Sequence, residues 1–213
     1  MKQNAVNIAW DLVGGLAAPS KMPCYSWSIS AKRCKMGAKL AQTKGSVCSA
    51  CYALKGNYRF PAVAKAHERR FQALKSPLWV ESMVTVIHAM ESSSFFRWHD
   101  SGDIQDLSHL EKIVEVAKAL PNVKFWLPTR EYSIVISYLK KNYSFPDNLT
   151  VRLSAYMVDG EPPTSLARRL KLTTSGVTKE QGFTCVASSQ GGKCLTCRAC
   201  WNSKIENVNY KKH

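Results

Sequence analysis

Three runs of β-branched and aromatic residues, spaced about 27 residues apart, define the middle of the chain. They begin at Phe95 in "FFRWHDSGD", at Val123 in "VKFWLPTRE" and at Thr150 in "TVRLSAYM". Runs of this composition and length are typical of β-strands. The sequence therefore predicts three strands in this region.

Helical periodicity follows the first two of these runs. Apolar residues recur at intervals of three and four in "DLSHLEKIVEVAKAL", from Asp106, and more briefly in "YSIVISYLKKN", from Tyr132. Upstream, "PAVAKAHERRFQALK" and "PLWVESMVTVIHAM" predict two further helices. They are separated at Ser76-Pro77 because a proline disfavours helical backbone in the residue before it.

Strands that alternate with helices of this length form βα units on a parallel sheet with right-handed crossovers. Three or four units are too few for an eight-stranded barrel. We therefore expect an α/β fold, a truncated (partial) parallel β/α barrel that is TIM-barrel-like. We expect one domain over residues 1–213, in which a cysteine-rich basic loop region (21–60), an α/β half-barrel (61–160) and a cysteine-rich C-terminal segment (161–213) follow one another. The two cysteine-rich segments are expected to bind a metal cluster.

The composition limits the class of protein further. Of the 213 residues, 45% are hydrophobic, which is ordinary for a globular domain. No run approaches 18 apolar residues, and the opening "MKQNAVNIAWDLVGG" lacks the pattern of a signal peptide. We expect a cytoplasmic protein that does not enter a membrane. A nucleophilic triad, a P-loop and a dinucleotide fingerprint are absent from the sequence, so hydrolase and NTPase functions have no support.

The positive charge is concentrated in one quarter of the chain. Residues 21–75 contain twelve Lys or Arg and one acid, Glu68, which gives +11 of the formal net charge of +15. Such a concentration suits a surface that binds DNA or RNA phosphates, although a solvated basic surface that only aids solubility has the same composition.

The C-terminal cysteines follow a tight pattern. Cys194, Cys197 and Cys200 lie in "CLTCRACW", and Cys185 precedes them in "FTCVASSQGGKC". A reducing cytoplasm favours metal ligands over disulfides. Three thiolates at this spacing resemble ferredoxin-type runs and favour an iron–sulfur cluster, whereas zinc sites use paired knuckles; zinc stays an alternative.

The N-terminal cysteines are more widely spaced. Cys48 and Cys51 form a C-x2-C pair in "VCSACYALKGNY", and Cys34 lies further upstream. Three such ligands to a [4Fe–4S] cluster leave one iron open for a substrate. Cys24, in "KMPCYSWS", ranks last as a ligand because it is equally explained as a small buried residue.

Polar residues follow each predicted strand, where parallel α/β folds gather their ligands. The candidate catalytic residues, as acid, base or anion-binding groups, are His99, Asp100, Asp103 and Arg130. The candidate cofactor-binding residues are Ser101, Gly102 and Tyr156. Structural roles compete with these: Asp103 as a helix N-cap, His99 as a hydrogen-bonded structural residue, and Arg130 as an ion-pair partner of Glu131.

Several long segments together resemble a known family. These segments are "AKRCKMGAKL", "SVCSACYALKGNYRFP", "FRWHDSGDIQ", "WLPTREYSIV", "VRLSAYMVDG", "CLTCRACW" and "VNYKKH". They resemble phage- and prophage-encoded proteins related to those called gene product 88, a family without an established biochemical function. In that family the position of Cys24 is commonly a small residue. The resemblance thus implies a metal-ligand set of Cys34, Cys48, Cys51, Cys185, Cys194, Cys197 and Cys200, in a protein of the host-cell cytoplasm.

The arrangement of three plus four cysteines also resembles the radical S-adenosylmethionine (SAM) enzymes. In those enzymes three cysteines hold a [4Fe–4S] cluster at the mouth of a partial barrel, and a second set can hold an auxiliary cluster. This chain departs from their C-x3-C-x2-C motif, because thirteen residues separate Cys34 from Cys48. Only "DSGD" loosely matches their glycine-rich strand end. The resemblance implies one or two [4Fe–4S] clusters with SAM as a possible ligand.

Three functions from different classes follow from the sequence, and whether the chain is an enzyme stays open. The first is an iron–sulfur protein on a radical-SAM-like half-barrel, with a redox or radical role. The second is a nucleic-acid-binding protein with a structural Fe–S or zinc centre, whose basic segment 21–75 contacts phosphates. The third is an interaction protein that engages a host or phage protein.

Overall fold

The computed structural model describes residues 3–178 and 183–212. Its centre is a seven-stranded sheet in the order β1-β2-β3-β4-β5-β7-β6, and every pair of neighbouring strands is parallel. The strands are β1 (Ser26–Trp27), β2 (Phe95–Trp98), β3 (Lys124–Thr129), β4 (Leu149–Val158), β5 (Thr173–Val177), β6 (Phe183–Thr184) and β7 (Asn207–Asn209). The α-helices are α1 (Gln3–Leu12), α2 (Lys35–Ala41), α3 (Pro61–Ala73), α4 (Trp79–Met90), α5 (Leu107–Ala119), α6 (Tyr132–Asn142) and α7 (Thr164–Leu170).

The first five strands lie side by side in chain order. Crossovers that all advance in one direction, each right-handed, place their helices on the same face of the sheet. Side chains alternate between the two faces accordingly: Phe125 and Leu127 belong to the core beneath the helices, whereas Trp126 between them belongs to a second cluster. The expected α/β class and parallel sheet are confirmed, and this one-sided arrangement is consistent with a partial barrel.

The elements predicted from hydrophobic pattern are found near their expected bounds. β2, β3 and β4 coincide with the three apolar runs, and α3, α4, α5 and α6 coincide with the four periodic segments. The N-cap of α5 is Asp106, whose side chain accepts a hydrogen bond from the His109 amide at 2.8 Å. The alternative role of Asp103 as a helix N-cap is therefore wrong.

Aromatic residues fill the core beneath the helices. Trp27, Trp79 and Trp98 are fully buried, with ring centroids 5.3 to 6.4 Å apart. Each buried tryptophan removes a large apolar surface from water, which makes this cluster a major source of stability. It joins β1, β2 and α4, which carry the three tryptophans.

The opposite face of the sheet is covered by the C-terminal segment. Trp201 packs edge-on against Trp126 at 5.2 Å and donates a hydrogen bond from Nε1 to the Phe96 carbonyl at 2.8 Å. Arg152 on β4 is fully buried there, and its guanidinium donates to five carbonyl oxygens, those of Thr174, Ala199, Cys200, Asn202 and Ile205. Tertiary contacts to the sheet thus order a segment that has little regular structure of its own.

Among the described residues, every helix is too short or too polar to cross a lipid bilayer.

Candidate metal centres

The eight cysteines are all free thiols, and seven of them fall into two groups. The N-terminal group is Cys34, Cys48 and Cys51, and the C-terminal group is Cys185, Cys194, Cys197 and Cys200. The cysteines that act electrostatically on Cys34 are Cys48 and Cys51, and those that act on Cys194 are Cys185 and Cys197. The structure therefore brings the cysteines together at two places.

Short turns present the N-terminal group. Cys34 immediately precedes α2, Cys48 lies within a 3-10 helix over Val47–Ala50, and Cys51 follows that helix. Ser46 caps the 3-10 helix by accepting a hydrogen bond from the Ser49 amide at 3.0 Å. Gly37 lies against this group: a Cβ atom there would be 3.6 Å from Cys34 Sγ and 3.8 Å from Cys48 Sγ. The sulfur atoms of Cys34 and Cys48 therefore share one side of Gly37.

The N-terminal group lies at the carboxyl ends of β2 and β3. Asp103, which follows β2, accepts hydrogen bonds from the Thr129 hydroxyl at 2.7 Å and the Arg130 amide at 2.9 Å. Glu131, which follows β3, accepts one from the Met36 amide at 2.7 Å and so connects the start of α2 to the sheet. Asp103 and Glu131 are both buried.

The surroundings of Cys34 and Cys48 disfavour ionisation of their thiols. Burial is the main cause of the raised pKa of the Cys34 thiol, and the charge of Asp103 and the neighbouring cysteines add to it. Burial also raises the pKa of Cys48, while Arg130 opposes that shift. The pKa of Asp103 is raised to about 6 by burial, against the hydrogen bonds that it accepts. Ionised thiols at this place need a cation, as a metal centre supplies.

The C-terminal group lines a single cavity. All four of its cysteines face this cavity together with Trp201 and other, mostly apolar, residues. Backbone hydrogen bonds hold the group in place, from Cys185 to the Asn209 carbonyl at 2.7 Å and from Cys194 to the Lys21 carbonyl at 3.0 Å. Four is the number of cysteine ligands that an iron–sulfur cluster takes.

Cys24 lies next to the C-terminal group without lining its cavity. It is 7% exposed and packs in the same apolar cluster as Cys200. Burial raises the pKa of its thiol to about 12, and the charges of Glu91 and Cys194 add to that shift. These surroundings suit a small buried residue, which is the alternative to a ligand role for Cys24.

Three arginines act on the C-terminal group. Burial raises the pKa of Cys200 to about 11. A hydrogen bond with the Tyr210 hydroxyl, which lies 3.2 Å from the Cys200 sulfur, and the charges of Arg152 and Arg97 lower this pKa and offset part of the shift. Arg97 and Arg198 likewise oppose the raised pKa of Cys194, for which burial and Cys185 are the larger causes. Three arginines therefore act on the C-terminal site, whereas the N-terminal site has one arginine, Arg130, beside the acids Asp103 and Glu131.

Two of the four candidate catalytic residues, Asp103 and Arg130, lie beside the N-terminal cysteines. Asp100 accepts hydrogen bonds from the hydroxyls of Ser26, Ser28 and Tyr58. Burial raises the pKa of Asp100, but Arg97 and these hydroxyls outweigh burial and lower it. His99 packs instead beneath the helices, against Trp27 and His109, with ring centroids 6.3 and 5.3 Å away.

The candidate cofactor-binding residues have different surroundings. Ser101 is buried and its hydroxyl has no hydrogen-bond partner among the described residues. Gly102 has a φ of +78°, and a Cβ atom there would lie 2.7 Å from the Ile29 carbonyl oxygen, so this turn requires glycine. Tyr156 stacks on Tyr132 at 4.6 Å and donates to the Arg130 carbonyl at 3.1 Å. Because Arg130 acts on Cys48, Tyr156 lies near the N-terminal group.

Sequence reasoning missed three residues that shape the sites. Glu131 positions α2 rather than pairing with Arg130, the side chain of Arg97 on β2 contacts the Met22 sulfur, and Tyr210 contacts Cys200. An arginine inside the apolar run "FFRWHD" was the available signal for Arg97, since a charge at a strand centre is rarely buried without a partner. Glu131 acts across 95 residues, and Tyr210 lies ten residues after Cys200 without a local pattern that marks it.

The two groups are not arranged around a single ion. In residues 3–178 and 183–212, no three side chains of His, Cys, Asp or Glu approach closely enough to hold one metal ion.

The family to which the chain belongs is known from its sequence as a whole. A family model described as gene product 88 matches residues 2–203, and the chain belongs to that family. The comparisons with curated proteins and with solved structures found no match.

Proposed function

We propose that this member of the gene product 88 family is an iron–sulfur protein whose two cysteine groups bind separate [4Fe–4S] clusters. Cys34, Cys48 and Cys51 would hold the N-terminal cluster, and the four C-terminal cysteines would hold the other. The observation that carries the proposal is the division of seven cysteines into a group of three and a group of four, since both numbers are ligand sets for such clusters.

The spacing of the C-terminal cysteines along the chain favours a cluster over a zinc ion. Thiolates of a zinc site all lie about 2.3 Å from one ion. Thiolates of a [4Fe–4S] cluster bind different irons and stand farther apart. Cys194, Cys197 and Cys200 follow one another at intervals of three residues, as in ferredoxin-type runs, whereas zinc sites draw pairs of cysteines from two places.

The position of the N-terminal group favours the binding of an exchangeable ligand to its cluster. Three cysteines leave one iron without a protein thiolate, and the carboxyl ends of parallel strands are where ligands bind. Arg130 and Asp103 supply a cation and a buried carboxyl at the same place. SAM is the first ligand to test, and the bound cluster would supply an electron for redox or radical chemistry.

The decisive experiment is metal and sulfide analysis of protein purified without oxygen. We expect a brown protein that absorbs broadly near about 400 nm and contains about eight irons per chain. Cys48→Ala and Cys194→Ala should each remove about half of the iron, because each breaks one cluster. A colourless protein with stoichiometric zinc would refute the iron–sulfur proposal.

A second measurement concerns the open iron. Adding SAM to the reduced protein should change the electron paramagnetic resonance signal that Cys48→Ala abolishes. The signal that Cys194→Ala abolishes should stay unchanged. If SAM alters neither signal, radical chemistry is excluded and a redox role without SAM replaces it.

A second candidate function is nucleic-acid binding around a structural metal centre. Of the twelve Lys and Arg residues in 21–75, eleven are exposed, and Arg70 is the exception. Tyr52 and Phe60 in the same segment are 47% and 58% exposed. Exposed cations interleaved with exposed aromatic rings suit single-stranded nucleic acid, which binds by phosphate contacts and base stacking.

A further inference from the structure

Exposed apolar side chains lie at the cavity of the C-terminal cysteines. Phe183 and Val186 line this cavity together with the four cysteines, and they are 37% and 39% exposed. Leu195 directly follows Cys194 in the chain and is 55% exposed. Large apolar side chains that are exposed at one place mark a surface that contacts another molecule. We call Phe183, Val186 and Leu195 the apolar rim.

Leu195 adopts an unfavourable backbone conformation. Its φ of +43° lies in the left-handed region, which a leucine rarely adopts because its Cβ atom crowds the backbone. The Leu195 carbonyl accepts a hydrogen bond from Arg198 Nη1 at 2.5 Å, which holds this turn in place. An exposed leucine adds no packing to the core, and strain of this kind persists at functional sites.

Lysines flank the apolar rim. Lys193 immediately precedes Cys194 and is exposed. Lys21 lies over Gly192, because a Cβ atom there would be 2.9 Å from Lys21 Nζ, and the Lys21 carbonyl accepts a hydrogen bond from the Cys194 amide at 3.0 Å. Residues 183–212 contain five Lys or Arg and one acid. This segment therefore carries a net positive charge and suits a negatively charged partner.

The cysteines of this site reach the protein surface. Cys185, Cys194 and Cys197 are partly exposed. A molecule seated on the apolar rim would approach a cluster bound there, since Phe183 and Val186 belong to the walls of the same cavity. Electron-transfer complexes are transient and have small interfaces, whereas the interfaces of permanent dimers are larger and more apolar. A rim of three side chains fits the transient class.

We propose that the apolar rim, with Lys21 and Lys193, docks an acidic protein that carries one electron and supplies it to the C-terminal cluster. This inference rests on the proposed function, because it requires iron at that site. The reduced carrier loses one electron and becomes oxidised, and the [4Fe–4S] core gains that electron. Bonds are neither formed nor broken, and protons are not transferred.

The test is rapid mixing of the anaerobic protein with a plant-type [2Fe–2S] ferredoxin, which is an acidic electron carrier. Whichever of the two proteins has the lower reduction potential is first reduced and desalted, so that the electron moves in the favourable direction. Freeze-quenched electron paramagnetic resonance follows the signal that Cys194→Ala abolishes. We expect the second-order rate constant to fall by about tenfold or more when the salt concentration rises to about 0.5 M.

Charge reversal tests the lysines. Lys21→Glu combined with Lys193→Glu should lower the rate constant at low salt by about tenfold or more. The control combines Lys118→Glu with Lys140→Glu, which changes the net charge equally at exposed residues of α5 and α6. The control should lower the rate constant by less than about threefold, because its charges lie outside the docking surface.

Leu195→Ser tests the apolar contact without a change of charge. It should lower the rate constant for ferredoxin by about fivefold or more at every salt concentration. Its rate of reduction by dithionite should stay unchanged, because a small reductant needs no docking surface. Leu78→Ser is the matched control, at a leucine that is 49% exposed and immediately precedes α4, and it should leave both rates unchanged.

The docking surface is refuted if the changes at Lys21 and Lys193 act no more strongly than their control, or if Leu195→Ser acts no more strongly than Leu78→Ser. Iron analysis of every variant comes first: a C-terminal site without iron refutes the proposed function itself, and full iron with unchanged rates refutes the docking surface alone. A single-stranded oligonucleotide that blocks the transfer and binds Leu195→Ser more weakly would assign this surface to nucleic acid instead. A dimer that Leu195→Ser dissociates would assign it to a second copy of the chain.

Discussion

Gly37 lies so close to Cys34 that a Cβ atom on Gly37 would be 2.8 Å from the Cys34 Cβ. Real Cβ atoms essentially never approach one another this closely, so Gly37→Ala must displace the first turn of α2. Because Cys34 directly precedes that turn, we expect the variant to lose about half of its iron. The measurement is iron per chain after anaerobic purification.

Ala38→Ser is the control for Gly37→Ala. Ala38 is the next residue of the same helix and is exposed, so one added atom meets solvent there. This variant should retain its full iron content. Equal iron in the two variants would show that the close approach of Gly37 to Cys34 does not position the N-terminal ligands.

Arg152→Lys tests how the C-terminal segment is held on the sheet. An ammonium group has three donors and cannot reproduce the five hydrogen bonds of the buried guanidinium. Hydrogen bonds from charged groups are worth about 1.5 to 3 kcal/mol each, so we expect the free energy of unfolding to fall by about 3 kcal/mol or more. Chemical denaturation without oxygen measures this change.

Arg169→Lys on the exposed surface of α7 is the matched control, and it should change the free energy of unfolding by less than about 0.5 kcal/mol. In Arg152→Lys, limited proteolysis should cleave first within residues 183–206. Cleavage that begins elsewhere would contradict the role of Arg152 as the anchor of this segment.

The elements with strong periodicity were predictable from the sequence, and the short ones were not. Largely buried runs such as "KFWLPT" of β3 have an evident strand composition, whereas β6 and β7 are "FT" and "NVN". Such short strands form because the segment around Trp201 packs against Trp126, a contact across 75 residues that no local pattern encodes. Tertiary packing decides the state of segments with so little intrinsic preference.

The candidate sites were also only partly predictable from the sequence. The spacing of the cysteines was enough to group Cys48 with Cys51 and Cys194 with Cys197 and Cys200. It gave no information on the charges around each group, because Asp103 and Arg97 reach the cysteines through the pairing of distant strands. The different charges around the two groups are therefore a product of the fold.

Nucleic-acid binding should depend on the exposed lysines of the basic segment. Lys32, Lys39 and Lys44 are exposed, and none forms an ion pair in the described structure. Changing all three to Glu should weaken binding to a single-stranded oligonucleotide. The dependence of log affinity on log salt should fall by about 0.7 for each phosphate that the protein no longer neutralises. Fluorescence anisotropy at several salt concentrations measures both effects.

The control changes Lys118, Lys140 and Lys204 to Glu, which alters the net charge equally through exposed residues outside that segment. Its salt dependence should match that of the unsubstituted protein. If the two triple variants lose affinity equally, only net charge matters and the segment 21–75 is not a specific binding surface.

The stability of the core beneath the helices should fall in mild acid because His109 is buried there. Its Nδ1 atom accepts a hydrogen bond from the Gln105 amide at 3.3 Å, which requires an unprotonated nitrogen. Burial, with a smaller contribution from Lys112, lowers the pKa of His109 from 6.5 to about 3. The unfolded chain therefore binds one more proton than the folded chain between these values, and the free energy of unfolding falls as the pH falls below 6.5.

For one such histidine, lowering the pH from 7.5 to 5.5 should cost about 1.4 kcal/mol of unfolding free energy, and His99, whose pKa burial also lowers, should add a similar loss. His109→Asn retains an acceptor for the Gln105 amide but cannot titrate, so its loss over this range should be about 1.4 kcal/mol smaller than that of the unsubstituted protein. Chemical denaturation at the two pH values, without oxygen, gives both losses. Protonation of the cysteine sites contributes equally to the two proteins and cancels in the comparison. Equal losses would therefore mean that His109 is protonated in the folded protein, against its burial beside Trp27 and Trp79.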